Sequence, residues 1–219
     1  ASGSGTAQVT GKNFGNFLFG TLRVHLNVDI DGDGVRDAGD ILALPSGHSS
    51  TFTVKKNGTL ITGGAITLGN GMIAANFVVD TGNYSVEEVL TTPGWKRTLG
   101  GTIVKSIVTS QDKDTAYYLD FQYITASGQK FNDLNGDGVK DGGEPGLAGW
   151  TINISGGTYY GGTSAVTDGS GDYSIDSVGP GAHTISEVLQ TGWTRTLPGG
   201  AGTYGFTGIS GNLITTTGY

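Results

Sequence analysis

Residues 21–28, TLRVHLNV, alternate Leu22, Val24, Leu26 and Val28 with Thr21, Arg23, His25 and Asn27. A period of two sends the sets to opposite faces of a strand, so the stretch predicts a half-buried strand with His25 on the solvent side. Further strands are expected at residues 50–55, 59–61, 73–79, 84–90 and 102–108, punctuated by Asn57-Gly58, Gly63-Gly64, Gly69-Asn70-Gly71 and Gly82-Asn83. Such pairs tolerate the left-handed backbone that tight turns require. Nothing in these segments has the 3.6-residue period of an amphipathic helix. Two aromatic-rich stretches are also strand candidates: QVTGKNFGNFLF (8–19) and DTAYYLDFQYI (114–124). In the second, Tyr117, Leu119, Phe121 and Tyr123 share the phase expected to face inward.

The plan repeats. NYSVEEVLTTPGWKRTLGG (83–101) returns as AHTISEVLQTGWTRTLPGG (182–200), with Glu88, Trp95 and Arg97 answered by Glu187, Trp193 and Arg195. A chain of 219 residues accommodates two ordinary domains, and the repeat divides it. Residues 1–19 form a tether and spare strand, 20–124 a first unit and 125–219 a second. Short alternating strands with glycine turns make the fold all-β, two tandem sandwiches.

Each unit carries an acidic loop. In DLNGDGVKDGGE (133–144), side-chain oxygens fall at loop positions 1, 3, 5, 9 and 12 as Asp133, Asn135, Asp137, Asp141 and Glu144. In DIDGDGVRDAGD (29–40), Asp29, Asp31, Asp33, Asp37 and Asp40 take the same places. A hard cation wants six to eight oxygens, which a chain supplies by wrapping around it with alternate side chains; this register predicts calcium at both loops. Val139 and Val35, at position 7, would each offer a backbone carbonyl. Without a cation, so many carboxylates in twelve residues repel one another. A solvated acidic turn is the bland alternative, but such a turn needs no fixed register. The shorter Asp40 reaches less far than Glu144 and predicts a weaker first site.

Composition narrows the function. The net charge of −7 argues against nucleic acid or anionic membrane as partners, and two divalent cations would cancel four of those charges. With no cysteine, neither disulfides nor thiolate chemistry hold the chain. His25, His48 and His183 belong to no nucleophile or zinc pattern, and paired carboxylates occur only in the acidic loops, so no enzyme is expected. No apolar run is long enough to span a bilayer. A chain opening at Ala1 without methionine is expected to be processed and exported, and extracellular calcium suits loops of this kind.

The combination GQKFNDLNGDGVKDGGEPGLAGWTINISGG followed by AVTDGSGDYSIDSVGPGAHTISEVLQTGWTRTLP resembles the Sdr-type B domains of bacterial surface adhesins, relatives of collagen-adhesin B-type repeats. The resemblance covers residues 128–198 clearly and the first unit more weakly, where ILALPSGHSS replaces EPGLAGW. It implies a Greek-key or prealbumin-like, Ig-like sandwich that binds calcium through the acidic loop and serves as a rigid stalk. Some collagen-adhesin domains join a Lys to an Asn beside a Glu by an isopeptide bond, and Glu88 and Glu187 match the Glu position. The first unit has no Lys in its opening strand, and Lys130 falls one residue out of phase, so that chemistry is not expected; the two Glu residues are read as strand positions paired by hydrogen bonds or by a nearby Arg.

The repeat boundaries do not close. Domains of this type end in a strand like NFGNF, yet here that strand stands at the start, while the second unit stops at GNLITTTGY. An unpaired edge invites another chain. A spare strand carrying Val9, Gly11, Phe14, Asn16, Phe17 and Phe19 would fill the second unit of the next copy, giving a head-to-tail homopolymer at the cell surface. The alternatives are a closed monomer, a piece of a longer array, or a stalk or carbohydrate-binding module of an adhesin that uses Trp95, Trp150 or Trp193 and meets other cell-surface components.

Overall fold

A computed structural model describes residues 15–40, 46–69, 71–157, 163–211 and, for the backbone, 213–216. Among the described residues there are fifteen strands and no helix, so the chain is all-β. The first unit contains β1 (Gly20–Val28), β2 (Ser49–Lys56), β3 (Thr59–Gly69), β4 (Ala74–Val79), β5 (Gly82–Leu90), β6 (Trp95–Leu99), β7 (Thr102–Ile107) and β8 (Lys113–Gln122). Its sheets run β4-β1-β8-β6 and β3-β2-β5-β7. The second unit contains β9 (Ile124–Gln129), β10 (Thr151–Gly156), β11 (Ser164–Val166), β12 (Asp172–Val178), β13 (Gly181–Glu187), β14 (Thr203–Gly208) and β15 (Leu213–Thr216), in sheets β12-β9-β15 and β11-β10-β13-β14.

The alternation seen in sequence builds the first core. Leu22, Val24 and Leu26 of β1 meet Phe52 and Val54 of β2 and Val86 of β5, all fully buried, and Tyr118 of β8 fills the space between them. The second core is smaller, with Ile124, Ala126, Ile152, Ile154, Ile175 and Ile185 at its centre. Only Tyr123 separates β8 from β9, so the closing strand of one unit runs almost directly into the opening strand of the next.

Several sequence expectations are corrected. His25 is buried, not solvent-facing: β1 lies between two strands and its outer face is covered by Tyr117, 5.6 Å away between rings, over which Arg36 also stacks. Burial first, then the charges of Arg23 and Arg36, lowers the pKa of His25. In β8 the inward residues are Ala116 and Tyr118, because the parallel register pairs Val24 with Ala116 and Leu26 with Tyr118, and paired residues share a face. Tyr117 is left on the other side, while Leu119 and Phe121 are buried outside that core. Gly63-Gly64 is not a turn; β3 continues through it, and the pairing with β2 shifts register between Thr53 and Lys55. Asn57-Gly58, with φ of 51° and 82°, is the hairpin turn expected.

The second unit does not lack its last strand altogether. Among the described residues β15 pairs parallel with β9, as β8 does with β1, but over four residues where β8 pairs over eight. Of the spare strand, Val9, Gly11 and Phe14 lie outside the described residues. Asn16, Phe17 and Phe19 are described and form no strand; Phe17 and Phe19 are 41% and 58% exposed.

Candidate metal centres and strand-acceptor site

The two acidic loops follow β1 and β9, and both are wound by hydrogen bonds to their first and last carboxylates. In the first, backbone N–H groups of Gly32 and Gly34 donate to Asp29 (2.8 and 3.0 Å), and those of Asp37 and Ile30 donate to Asp40 (3.0 and 3.4 Å). In the second, Gly136 and Gly138 donate to Asp133 (2.6 and 2.7 Å), and Asp141 and Leu134 to Glu144 (3.0 and 2.8 Å). Asp40 therefore closes its loop through the same bonds as the longer Glu144. Gly32 and Gly136, with φ near +72° and +75°, hold matching left-handed bends.

Among the described residues, carboxylate oxygens converge in threes in the first loop. Those of Asp29, Asp31 and Asp40 lie within 4.8 Å of one another, as do those of Asp31, Asp33 and Asp37. Burial, and then the charges of Asp29 and Asp37, raises the pKa of Asp40 against the pull of its two N–H donors. In the second loop Asn135 relieves the crowding: its Nδ2 donates to Asp137 (2.9 Å) and Asp141 (3.1 Å). Burial disfavours ionised Asp133, but the Thr196 hydroxyl and the N–H groups of Gly138, Gly136 and Asp137 outweigh it and hold the carboxyl below its usual range. Val35 and Val139 donate their N–H to Asp33 and Asp137, at 2.6 and 2.8 Å. An all-oxygen donor set fits a hard cation and suits neither zinc nor copper.

Sequence reasoning missed the threonines beneath these loops. Thr98 donates to Asp29 and to the Leu119 carbonyl, and Thr196 takes the same place under Asp133. The signal was present, since Arg-Thr-Leu recurs at residues 97–99 and 195–197. Arg97 pairs with the buried Glu88 at 3.3 Å, and Arg195 with Glu187 at 2.9 Å, the pairing read from sequence. Lys130, however, does not point away: its Nζ is 2.8 Å from Glu187. Aligning Asp29 with Asp133 sets Lys130 in the place of Leu26, an inward position.

An open pocket of about 60 Å³ lies beside this pair, lined among others by Phe131, Ile152, Tyr173, Ile185, Glu187 and Tyr204. Its counterpart in the first unit is full. Ile152 faces Glu187 across the ladder as Phe52 faces Glu88, and Ile185 stands where Val86 does. In the first unit that space holds the Tyr118 ring, 4.9 Å from Phe52, with its hydroxyl donating to the Val86 carbonyl at 2.7 Å. Among the described residues the pairing of β15 reaches Gly128, two residues short of the place that corresponds to Tyr118.

The tryptophans form no exposed row: only Trp193 is exposed, at 39%. Trp150 is buried against Trp193 and under Lys130, and Trp95 stacks on His48 at 3.7 Å.

The loop, the Gly-Trp segment and the following strands carry a family signature: residues 128–205 match the SdrD B-like domain. That match falls wholly within the second unit. Over 182 residues the chain is 26% identical to the bone sialoprotein-binding protein of Staphylococcus aureus (strain MRSA252), covering 77% of this chain and 16% of that protein. The serine-aspartate repeat-containing protein E of Staphylococcus aureus (strain USA300) aligns over 182 residues at 26% identity, covering 77% of this chain and 15% of that one. The chain thus spans about a sixth of the length of these relatives. Among solved structures, the Bacillus anthracis TIE protein superposes with a TM-score of 0.40 at 16% identity, over 91% of this chain and 34% of that one. GBS52, the minor pilin of Streptococcus agalactiae, gives 0.35 at 13% identity, over 90% and 94%.

The joint between the two units is direct. The Ser210 N–H donates to the Ile30 carbonyl of the first acidic loop (2.9 Å), the Gln122 N–H to Ser210 Oγ (2.8 Å), and the Gly211 N–H to the Gln122 carbonyl (3.1 Å). The first acidic loop sits at this joint inside the chain.

Proposed function

We propose that the chain is a non-catalytic structural protein of the extracellular cell surface, stabilised by calcium at its two acidic loops, whose copies join head to tail by strand donation. The observation that carries this reading is the pocket of the second unit where the first unit holds Tyr118. Aligning Gly20 with Ile124, the first residues of β1 and β9, sets Phe14 in the place of Tyr118, Asn16 in that of Asp120 and Phe17 in that of Phe121. Residues 8–19 of one copy would extend the β15 edge of another, with Phe14 entering the pocket and Val9 and Gly11 running alongside. Burying one such ring contributes roughly 1.5–3 kcal/mol before any backbone hydrogen bonds are added. Because donor and acceptor surfaces differ, the contact is head-to-tail and need not close on itself.

Calcium would be held by Asp29, Asp31, Asp33, Asp37 and Asp40 with the Val35 carbonyl, and by Asp133, Asn135, Asp137, Asp141 and Glu144 with the Val139 carbonyl. There it would supply the positive charge that lets these oxygens crowd together. Relatives named for binding bone sialoprotein, and a pilin among the solved structures, are in keeping with a surface role.

The test is removal of residues 1–14. The shortened chain should fail to form filaments under electron microscopy and should bind a peptide of residues 8–19, whereas the full chain forms them. Filaments from the shortened chain, or no binding of a peptide with Phe14 intact, would overturn the strand-donation reading.

A further inference from the structure

The two ends of the chain carry the two halves of one joint. At the internal joint, the Gln122 N–H donates to Ser210 Oγ and the Gly211 N–H to the Gln122 carbonyl. At the start of the first unit the same pair of bonds recurs: the Leu18 N–H donates to Ser110 Oγ at 2.9 Å, and the Gln111 N–H to the Leu18 carbonyl at 3.1 Å. The backbone repeats with them, since Gln111 has a φ of 66° where Gly211 has 78°. A non-glycine residue held in the left-handed region marks a turn fixed by its surroundings, not chosen by its sequence. Leu18, Ser110 and Gln111 therefore reproduce Gln122, Ser210 and Gly211.

At the internal joint this turn does one thing more. The Ser210 N–H donates to the Ile30 carbonyl, and Gly32 of the same loop is buried so closely against Pro180 that an added Cβ would lie 3.0 Å from it. The matching groups at the two ends have no such partner among the described residues. Ser110 N–H has no acceptor there. Gly136, the counterpart of Gly32, is exposed with open space around it, and Leu134, the counterpart of Ile30, is 66% exposed. Thr81, the counterpart of Pro180, is exposed as well, next to Gly82, which repeats Gly181. Apolar surface accompanies the first of these ends, where Leu18 is 55% and Val108 71% exposed.

We infer that the face bearing Thr81, Ser110 and Leu18 docks onto the loop of residues 133–144 of a second copy of this chain, reproducing the internal joint between molecules. The Ser110 N–H takes the Leu134 carbonyl of the second copy, as Ser210 takes that of Ile30, and Thr81 packs against its Gly136. A second copy is the occupant because the complementary half is written in the chain's own second loop, whose sequence and fold match the half already docked inside. This rests on the head-to-tail reading above and adds a surface to it that the donated strand does not supply.

The experiment uses the full chain with calcium, followed by light scattering and electron microscopy. Two exposed positions carry the variants: Thr81→Trp blocks one face and Leu134→Glu the other. Each variant alone should form far fewer and shorter filaments than the parent, while keeping the parent's melting temperature. Mixed one to one, they should give capped dimers, because each retains the face the other lacks. If the parent itself stays monomeric at every concentration, the head-to-tail reading falls and the faces belong to some other occupant. If the parent assembles and both variants assemble as well as it does, the docking surface is refuted and strand donation stands alone.

Discussion

Tyr118→Ala would turn the first unit into an imitation of the second. Tyr118 is fully buried, its ring 4.9 Å from Phe52 and its hydroxyl bonded to the Val86 carbonyl at 2.7 Å. Truncating a buried aromatic costs about 3–5 kcal/mol from lost burial and the cavity left behind. The carbonyl freed at Val86 accounts for about 1–3 kcal/mol if it stays dry, and Tyr118→Phe isolates that share. Urea unfolding, followed by an aromatic probe in each unit, should show the first unit's midpoint fall sharply for Tyr118→Ala and slightly for Tyr118→Phe, with the second unit unmoved. The variant should also gain what the second unit is proposed to have, an affinity for an aromatic strand peptide. A loss below about 1 kcal/mol for Tyr118→Ala would mean that the closing strand holds through its backbone ladder alone. The pocket of the second unit would then be no argument for a missing ring.

Two further outcomes are expected. Burial, and next the charge of Asp120, pushes the Glu88 carboxyl up to about 8, while Arg97 and Ser50 pull the other way and His48 lies on the far side of Asp120. A carboxyl that keeps its proton in the fold but loses it on unfolding stabilises below its ordinary range, near 4.5, and this contribution drains away as pH rises toward 8. Glu88→Gln should flatten the pH dependence of the first unit's stability across that window; an unchanged slope in urea titrations at pH 5, 6, 7 and 8 would count against a protonated Glu88. Calcium at a hundred times its dissociation constant should stabilise each loop's unit by about 2.7 kcal/mol, read as a drop in melting temperature on adding chelator. Equal melting curves with and without chelator would remove calcium from the account.

The acidic loops were legible because their chemistry is encoded in spacing: oxygens at fixed intervals imply one wrapping whatever surrounds them. Most strands were legible for the same reason, as Phe52 and Val54 alternate with threonines whether or not the partner strand is known. What was hidden depends on neighbours distant in sequence. His25 reads as polar and exposed until Tyr117 and Arg36 are seen to cover that face of β1. The inward phase of β8 is set by its register against β1, ninety-two residues earlier, so Tyr118 rather than Tyr117 becomes the core ring. Lys130 was misplaced because its phase was counted along the strand instead of from the loop, whose alignment with the first unit fixes it beside Glu187. The repeated turn at Ser110 and Ser210 binds residues 92 and 88 positions away, a distance no local pattern bridges.

The parallel pairing of β1 with β8 also determines how the unit meets tension. The chain enters at the start of β1 and leaves at the end of β8, and the two run side by side in the same direction over eight paired residues. A pull on the two ends slides one strand along the other, straining the whole ladder together; it cannot peel the bonds apart singly. Forced unfolding follows the barrier to that concerted slip, not the equilibrium stability. In the second unit the same arrangement spans four pairs among the described residues, between β9 and β15, so under a stretching force this unit should yield first unless a further strand lies down along it.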